Sequence, residues 1–338
     1  MTDLRSRRTE PTPFVLGHPS HLQHLPNQLE GVPILKLVAP MVAGASALGT
    51  GASGGEHGER GARAARLLNL GNAMAYGGDM GMPEWVMLDC GLIPTAFMGL
   101  CRRGAELSDE QRASLDERLA RLEREMSPDR RATEELIGVP MGPIRDEEWV
   151  PVAEFCALPT LTPGEIMGYS LFSLEPGLGV RAKAIGLSLH ASLGARSQLG
   201  VAQYSNLGAL KSHLRFGPLE LIDPLTPLHT RAGETFIYRL SLPPRDALID
   251  MAAGARLRYS PHDDAPHSAT NLHGGREERL STGHLQWIAS DDLKVWAELR
   301  ALVLHGRERA QLMDARLEAG RPSLCVRLTS QSLEGTGA

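Results

Sequence analysis

Gly177 and Gly179, in the run Leu174-Glu175-Pro176-Gly177-Leu178-Gly179, are the residues whose spacing most directly suggests chemistry. A glycine turn that feeds a helix presents unpaired backbone N–H groups and the positive end of the helix dipole. It also lets a ligand approach the backbone closely. Phosphate and pyrophosphate groups fit such a turn. Leu178 and Val180 complete it, and Arg181 and Lys183 on the following helical turn are in reach of phosphates. The plainer reading of both cations is a solvated helix face, and Gly-x-Gly alone is as readily a turn without a ligand. Two carboxylates, Glu154 and Glu165, stand on or beside the strands that lead into the turn. Each is a candidate base or an ordinary solvent-facing strand residue.

Other chemistry-bearing clusters lead to blander readings. His262, Asp263, Asp264, His267 and His273 are of zinc-ligand type, but Pro261 and Pro266 mark a polar loop without a ligand scaffold, so no metal is expected. His18, His21 and His24 recur every three residues in a proline-rich tail. Cys90, in Asp89-Cys90-Gly91, reads as a buried thiol. The chain carries no Walker loop and no His-Glu-x-x-His.

The elements that must hold the glycine turn follow from the spacing of apolar residues. Ile166, Tyr169, Leu171 and Phe172 mark a strand running to Leu174. Ala182, Ile185, Leu189 and Leu193 fall at helical spacing and end near Gly194. Leu199 to Tyr204 reads as a short strand, Asn206 caps a second helix that closes at Gly217, and Leu219 to Ile222 is another strand. From Gly164 to Ile222 the order is therefore strand, glycine turn, helix, strand, helix, strand.

Around this stretch the chain predicts further segments. Residues 1–61 read as a loose N-terminal arm, with Pro11, Pro13, Pro19 and Pro26, followed by a Gly/Ala-rich linker. Ala62 to Ala75 reads as a helix, and Trp85 to Leu88 and Thr95 to Cys101 as strands. Ser108 caps a helix to Met126 with Leu115, Leu119 and Leu122 on one face. It lies between strands and reads as a peripheral insertion or lid, residues 106–137, whose charges form a solvated face. Trp149 to Leu158 and Thr235 to Leu242 are expected strands. Residues 244–338 read as a mainly helical C-terminal region, with one or two helices over Leu293 to Leu317 and a last strand over Leu324 to Leu328.

With 338 residues the chain can bury a sizeable core. A formal charge of −5 gives no general attraction to nucleic acid. No apolar run is long enough to span a membrane. Cys90, Cys101, Cys156 and Cys325 lack metal-type spacing and read as reduced thiols of a cytoplasmic protein.

The order of elements from Gly164 to Ile222 resembles the core of the GNAT superfamily of acyl-CoA-dependent N-acyltransferases. Their turn reads Gln/Arg-x-x-Gly-x-Gly/Ala. Gly177 and Gly179 match it, and Leu174 stands where Gln or Arg is usual. Their later helix reads Asn-x-x-Ala-x-x-x-Tyr-x-x-x-Gly-Phe. Asn206, Ala209 and Gly217 are in register with it, His213 stands at the Tyr position and Pro218 at the Phe position. A looser match runs from Pro83 to Pro243.

The resemblance implies an α/β fold with a GNAT-like mixed sheet flanked by helices, occupying residues 62–243. It implies acetyl-CoA or another acyl-CoA as co-substrate, and a small-molecule or peptide amine as acceptor. Phe172 and Leu174 would line the thioester arm, Gly177, Leu178, Gly179, Val180 and Arg181 the pyrophosphate, and Asn206 would also face the cofactor. His213 would protonate the leaving thiolate, with Glu154 or Glu165 as base. His213 stays open between that role and an ordinary helix residue. Two other functions remain open. One is a non-catalytic GNAT-like scaffold that binds a ligand or a protein. The other is an acyl-chain synthase that takes its thioester from acyl-carrier protein, as in the autoinducer synthases. A homodimer is compatible with all three.

Overall fold

The computed structural model describes residues 10–17, 19–29, 31–38, 63–64, 67–68, 70–71, 97–125, 142–226, 235–254, 270–272, 280 and 283–330. It is a mixed α/β structure, and the chain divides into two compact units. The first comprises Met1–Leu158, Ser170–His190 and Met251–Gly254; the second comprises Pro159–Tyr169, Ala191–Asp250 and Ala255–Ala338.

In the first unit, β1 (Thr12–Gly17) leads through the short α1 (Pro19–Leu22) to a two-residue pairing of β2 (Gln28–Leu29) with β3 (Val32–Pro33). β4 (Leu35–Val38) then runs parallel to β1, and β5 (Phe97–Arg103) pairs with β1 antiparallel. Helix α2 (Asp109–Glu125) follows, and β6 (Trp149–Pro159) returns antiparallel to β5. The last residues of β7 (Glu165–Ser173) and most of α3 (Leu178–Ser192) complete the unit. One core cluster joins Phe14, Leu16, Phe97, Cys101, Cys156 and Phe172 to Ala64 and Leu68, both helical. Helix α3 reaches the sheet through Gly186, where a Cβ would collide with Phe155.

Strand β1 corrects the expectation of a loose arm, because Phe14, Val15 and Leu16 are wholly buried. Three apolar residues between prolines carry too little periodicity to announce a strand. Their pairing partners lie at Leu35–Val38 and Phe97–Cys101, far away in sequence. Pro13 is tolerated because it lies near the start of the strand, ahead of the first residue that pairs with β4.

The second unit begins with the first residues of β7. β8 (Ser197–Gln203), α4 (Leu207–Leu214), β9 (Leu219–Thr226), β10 (Thr235–Ser241) and α5 (Arg245–Ala252) follow. Then come β11 (Thr270–Leu272), β12 (Leu285–Ala289), α6 (Leu293–Leu304), β13 (Glu308–Glu318) and β14 (Arg321–Ser330). The strand order is β7-β8-β10-β9-β13-β14-β12-β11, with β7/β8 and β11/β12 parallel and the other neighbours antiparallel. Tyr204 stacks on Trp296 of α6 at 4.1 Å and packs on Phe236 at 4.9 Å.

The expected mainly helical C-terminal region is not what forms. α6 ends at Leu304, Gly306 takes a positive φ of 67°, and β13 and β14 form a long hairpin. Ala319 and Gly320, with φ of 48° and 81°, make its tight turn. A bulge between Leu312 and Asp314 shifts the register of β13. It breaks the period of two and buries both Leu312 and Met313, so the sequence imitates helical spacing.

Helix α2 is capped by its own sequence. Gln111 N donates to Ser108 Oγ at 3.2 Å, and Ser108 N donates to Gln111 Oε1 at 3.0 Å. Its polar residues are not all solvated: Asp116 accepts from Ile144 N at 2.7 Å, and Arg112 donates to Ile144 O at 2.7 Å. Leu115 and Leu119 are buried beneath it. Leu119→Ala is expected to lower unfolding stability by about 2–5 kcal/mol in urea denaturation. Glu117→Ala, on the exposed face, should change it by no more than about 0.5 kcal/mol.

Candidate functional site

The glycine turn sits in the first unit between β7 and α3. Gly177 has φ of +85° and open space where a Cβ would stand, so backbone conformation selects glycine there. At Gly179 a Cβ would stand 3.3 Å from Ser173 Cβ, so this glycine allows the helix to start close against the end of β7. The Glu175 carbonyl ties the turn together by accepting from Ser173 Oγ and from Leu178 N. Leu174 N donates to Val152 O at 2.8 Å, and Phe172 is core.

The turn's other polar contacts come from side chains. Arg102 donates Nε to Glu175 Oε1 at 2.9 Å and Nη2 to Oε2 at 3.1 Å. Gln111 Nε2 donates to Glu175 Oε1 at 3.1 Å. Arg181 is engaged away from the turn: Nη1 donates to Glu10 at 2.8 Å and Nε to the Ala252 carbonyl at 3.1 Å. Lys183 is wholly buried, which overturns its reading as a solvated helix residue. Burial lowers its pKa well below the ordinary lysine value, because desolvation disfavours the ammonium.

Glu154, on β6, is fully buried and accepts from Ser170 Oγ at 2.9 Å. That excludes the solvent-facing alternative. Glu165 belongs to the second unit, is also buried, and accepts from Arg239 Nε at 2.9 Å. The same bond is the main cause of the raised pKa of Arg239. Asn206 serves as the cap of α4, its Oδ1 accepting from Ala209 N at 3.1 Å. His213, near the end of that helix, is buried with its ring 5.2 Å from Tyr238. Tyr238 in turn accepts from Gln198 Nε2 at 3.3 Å and covers Gly200, where a Cβ would collide with its ring. Spacing alone gave no signal for Tyr238, Gln198, Arg102 or Gln111 as site residues, because strand pairing brings Gln198 to Tyr238 and side-chain bonds bring Arg102 and Gln111 to Glu175.

Parallel pairing of β7 with β8 covers three residue pairs among the described residues, Glu165 with Ser197, Ile166 with Gln198 and Met167 with Leu199. β8 continues to Gln203 in full register with β10. Gly168 and Tyr169 thus extend β7 with no registered partner on β8, and Tyr169 is half exposed. Thr160 and Thr162 form the turn that opens β7, and Gly164 O accepts from both Arg196 N and Ser197 N.

The His262–His273 cluster lies outside the described residues, apart from β11 within it. Among the described residues, no group of three or more His, Cys, Asp or Glu side chains is arranged to hold a metal. No described helix is long and apolar enough to cross a membrane.

No family model matches the chain, and no curated protein matches it. Solved structures similar to it include a candidate acetyltransferase of the GNAT family from Desulfovibrio desulfuricans subsp. It is 19% identical, covers 42% of this chain and 98% of its own, and has a TM-score of 0.27. A second, described as an acetyltransferase, is 15% identical, covers 56% of this chain and 98% of its own, and has a TM-score of 0.26. Likenesses this weak fix neither the fold nor an activity.

Two outcomes follow for this site. Gly177→Ala should cost about 1–2 kcal/mol in urea denaturation, the penalty of a left-handed Cβ-bearing residue. Burial raises the pKa of both Cys101 and Cys325, the latter to about 12. Each therefore contributes stability that is complete below the ordinary thiol value of 9.0 and declines as pH rises above it. Peptide mapping after iodoacetamide treatment at pH 8 should find both unmodified in the native protein and both modified after unfolding.

Proposed function

We propose that the chain is an acyl-CoA-dependent N-acyltransferase, its chemistry residing in residues 62–243. The observation that carries this reading is the short parallel join of β7 and β8, which ends after Met167 and Leu199. Where two parallel strands part, backbone groups outside their mutual ladder are available to the amide groups of a pantetheine arm. The glycine turn before α3 adds main-chain donors suited to phosphates.

The amine nitrogen of the acceptor attacks the thioester carbonyl carbon, forming a C–N bond as the C–S bond breaks. Before attack a base removes a proton from the ammonium, and the leaving thiolate takes up a proton. We assign the donor role to His213. Its ring is buried and lies 5.2 Å from that of Tyr238, and an imidazole can give up a proton near neutral pH. Glu154, which accepts from Ser170, and Glu165, which is ion-paired with Arg239, are the candidate bases. In this reading Phe172, Leu174, Gly177 to Val180 and Asn206 belong to the cofactor site chiefly through backbone and shape.

A second reading replaces free acyl-CoA by the thioester of an acyl-carrier protein. Arg181 favours it: its guanidinium is bound to Glu10 and Ala252, while Leu174 supplies no cation at the usual position. A carrier-bound phosphopantetheine brings one phosphodiester and no pyrophosphate, so it asks less positive charge of the turn.

Thermal shift with acetyl-CoA, a long-chain acyl-CoA and plain CoA tests the first reading, because a ligand of the native state raises Tm. A rise with any of the three supports it, and no rise with all three overturns it in favour of a carrier-protein donor or a scaffold. Once an acceptor is found, His213→Phe should leave cofactor binding nearly intact and lower single-turnover rates roughly 10²–10⁴-fold. His213→Tyr should recover part of the loss. Equal rates for wild type and His213→Phe would remove the histidine from the mechanism.

A further inference from the structure

A run of buried rings crosses the second unit and reaches His213. Trp296 of α6 stacks on Tyr204, Tyr204 meets Phe236 at 4.9 Å, and Phe236 meets Tyr238 at 6.1 Å. Tyr238 then meets the imidazole of His213 at 5.2 Å, with the two planes 41° apart. Helix α4 places the backbone of His213, whose carbonyl accepts from Phe216 N at 3.0 Å. A helical backbone restricts the first side-chain torsion of a histidine but leaves the second broadly open. Tyr238 is fixed at three points. Strand pairing holds its backbone between Gly200 of β8 and Leu221 of β9. Its ring lies over Gly200, where a Cβ would stand 2.4 Å from Cζ and Oη. Gln198, two residues earlier on the same face of β8, donates Nε2 to the phenol oxygen at 3.3 Å. The glutamine is wholly buried, and its Oε1 has no hydrogen-bond partner among the described residues. A buried acceptor left open costs stability, so an apolar residue would suit packing alone better. The glutamine is explained by what its nitrogen does.

We propose that Tyr238, seated on Gly200 and tied down by Gln198, is a positioning residue that sets the ring orientation of His213. This inference rests on the acyltransferase reading, in which His213 protonates the leaving thiolate. A proton donor is effective only where its N–H points at the atom that receives the proton, and a misplacement of about 1 Å can cost about 10²-fold in rate. Close packing carries the position of the tyrosine to the imidazole, because a protein interior leaves few voids into which a ring can turn. His213 and Tyr238 each make further contacts, and Tyr238 acts on the imidazole alongside them. In the bond from Gln198 the phenol oxygen accepts, so the hydroxyl proton is directed elsewhere and the tyrosine is held in one of its two hydrogen-bonding roles.

The test compares wild type with Tyr238→Leu, which removes the ring, and with Tyr238→Phe and Gln198→Met, which remove only the bond between them. The first readout needs no substrate. It is the nitrogen-15 spectrum of the His213 side chain, assigned by its loss in His213→Phe, which reports the tautomer and the exchange of the ring. Wild type should give one set of signals. Tyr238→Leu should shift or broaden them, and Tyr238→Phe and Gln198→Met should alter them less and alike. The second readout is turnover. Tyr238→Leu should lower kcat about 10²-fold with KM changed by less than about twofold, and Tyr238→Phe should restore most of that loss. The Tyr238→Phe, Gln198→Met double variant should be no slower than the slower single one, because both changes break one bond. Unchanged His213 signals in folded Tyr238→Leu overturn the proposal whatever the rates, since a merely structural tyrosine would lower stability and leave the imidazole as it was. Should Tyr238→Leu not fold, the two gentler variants decide: altered signals in both support the proposal, and unchanged signals in either overturn it. Altered signals in a protein that turns over no acyl thioester keep the positioning role and remove the acyltransferase reading alone.

Discussion

The parallel join of β7 to β8 is the constraint that shapes the middle of this chain. Parallel neighbours cannot be linked by a hairpin, so the chain must leave β7, travel back through a crossover and re-enter as β8. Helix α3 is that crossover, and a glycine with positive φ stands at each end of it, Gly177 at +85° and Gly194 at +94°. The register is pinned at the start of both strands. The Gly164 carbonyl, in a residue whose own φ is +78°, accepts from Arg196 N at 2.7 Å and from Ser197 N at 3.2 Å. A pair clamped at one end and released after Met167 and Leu199 has a closed end and an open one. Beyond the release β8 is held by β10, and Gly200 lies flat under Tyr238, so the strand keeps its course without β7.

Buried charge is the second theme, and each instance has its own compensation. Arg63 with Glu148, Arg102 with Glu175 and Arg239 with Glu165 pair as ions, and Glu154 takes a hydroxyl donor from Ser170. Breaking one partner of a buried pair typically costs about 3–5 kcal/mol, whereas replacing both by matched apolar groups can be nearly neutral. Such pairs therefore specify geometry more than they add stability. Arg102–Glu175 specifies a turn, and Arg239–Glu165 specifies where β7 begins. Burial also lowers the pKa of Lys183 on α3 well below the ordinary lysine value.

Much of this middle stretch was legible in the sequence. Local signals carried it: β-prone residues before Gly177, helical spacing from Ala182 to Leu189, a capping Asn206 and alternation in the Thr235 strand. Elsewhere the local pattern and the tertiary outcome diverged. β1 is a three-residue apolar core flanked by prolines, and only its distant partners make it a strand. β13 hides its alternation behind a bulge, which aligns Leu312 with the apolar spacing of the preceding helix. Lys183 looked solvated because helical amphipathicity assigns charges outward, whereas α3 is buried around nearly its whole circumference. Of the expected site residues, Gly177 and His213 are positioned by local geometry that the sequence encodes. Asn206 is the helix cap that its position announced, whereas Arg181 turned out to be committed to a carboxylate, a contact that no spacing rule reveals.

The same divergence explains why α2 looked detachable. Its sequence is a self-sufficient amphipathic helix with its own capping box, and such helices are commonly inserted between strands without consequence for what they interrupt. The capping residue decides otherwise. A serine at the cap position needs a partner at the third helical position, and either glutamate or glutamine satisfies it. A glutamate at 111 would cap equally well and would set a second carboxylate against Glu175. Glutamine caps with its oxygen and leaves its amide nitrogen to donate, and that nitrogen lies 3.1 Å from Glu175. The choice between two residues that are equivalent for helix formation is thus fixed by the charge of a turn sixty-four positions away in sequence. What reads locally as a helix start is, in the folded chain, part of the support of the glycine turn.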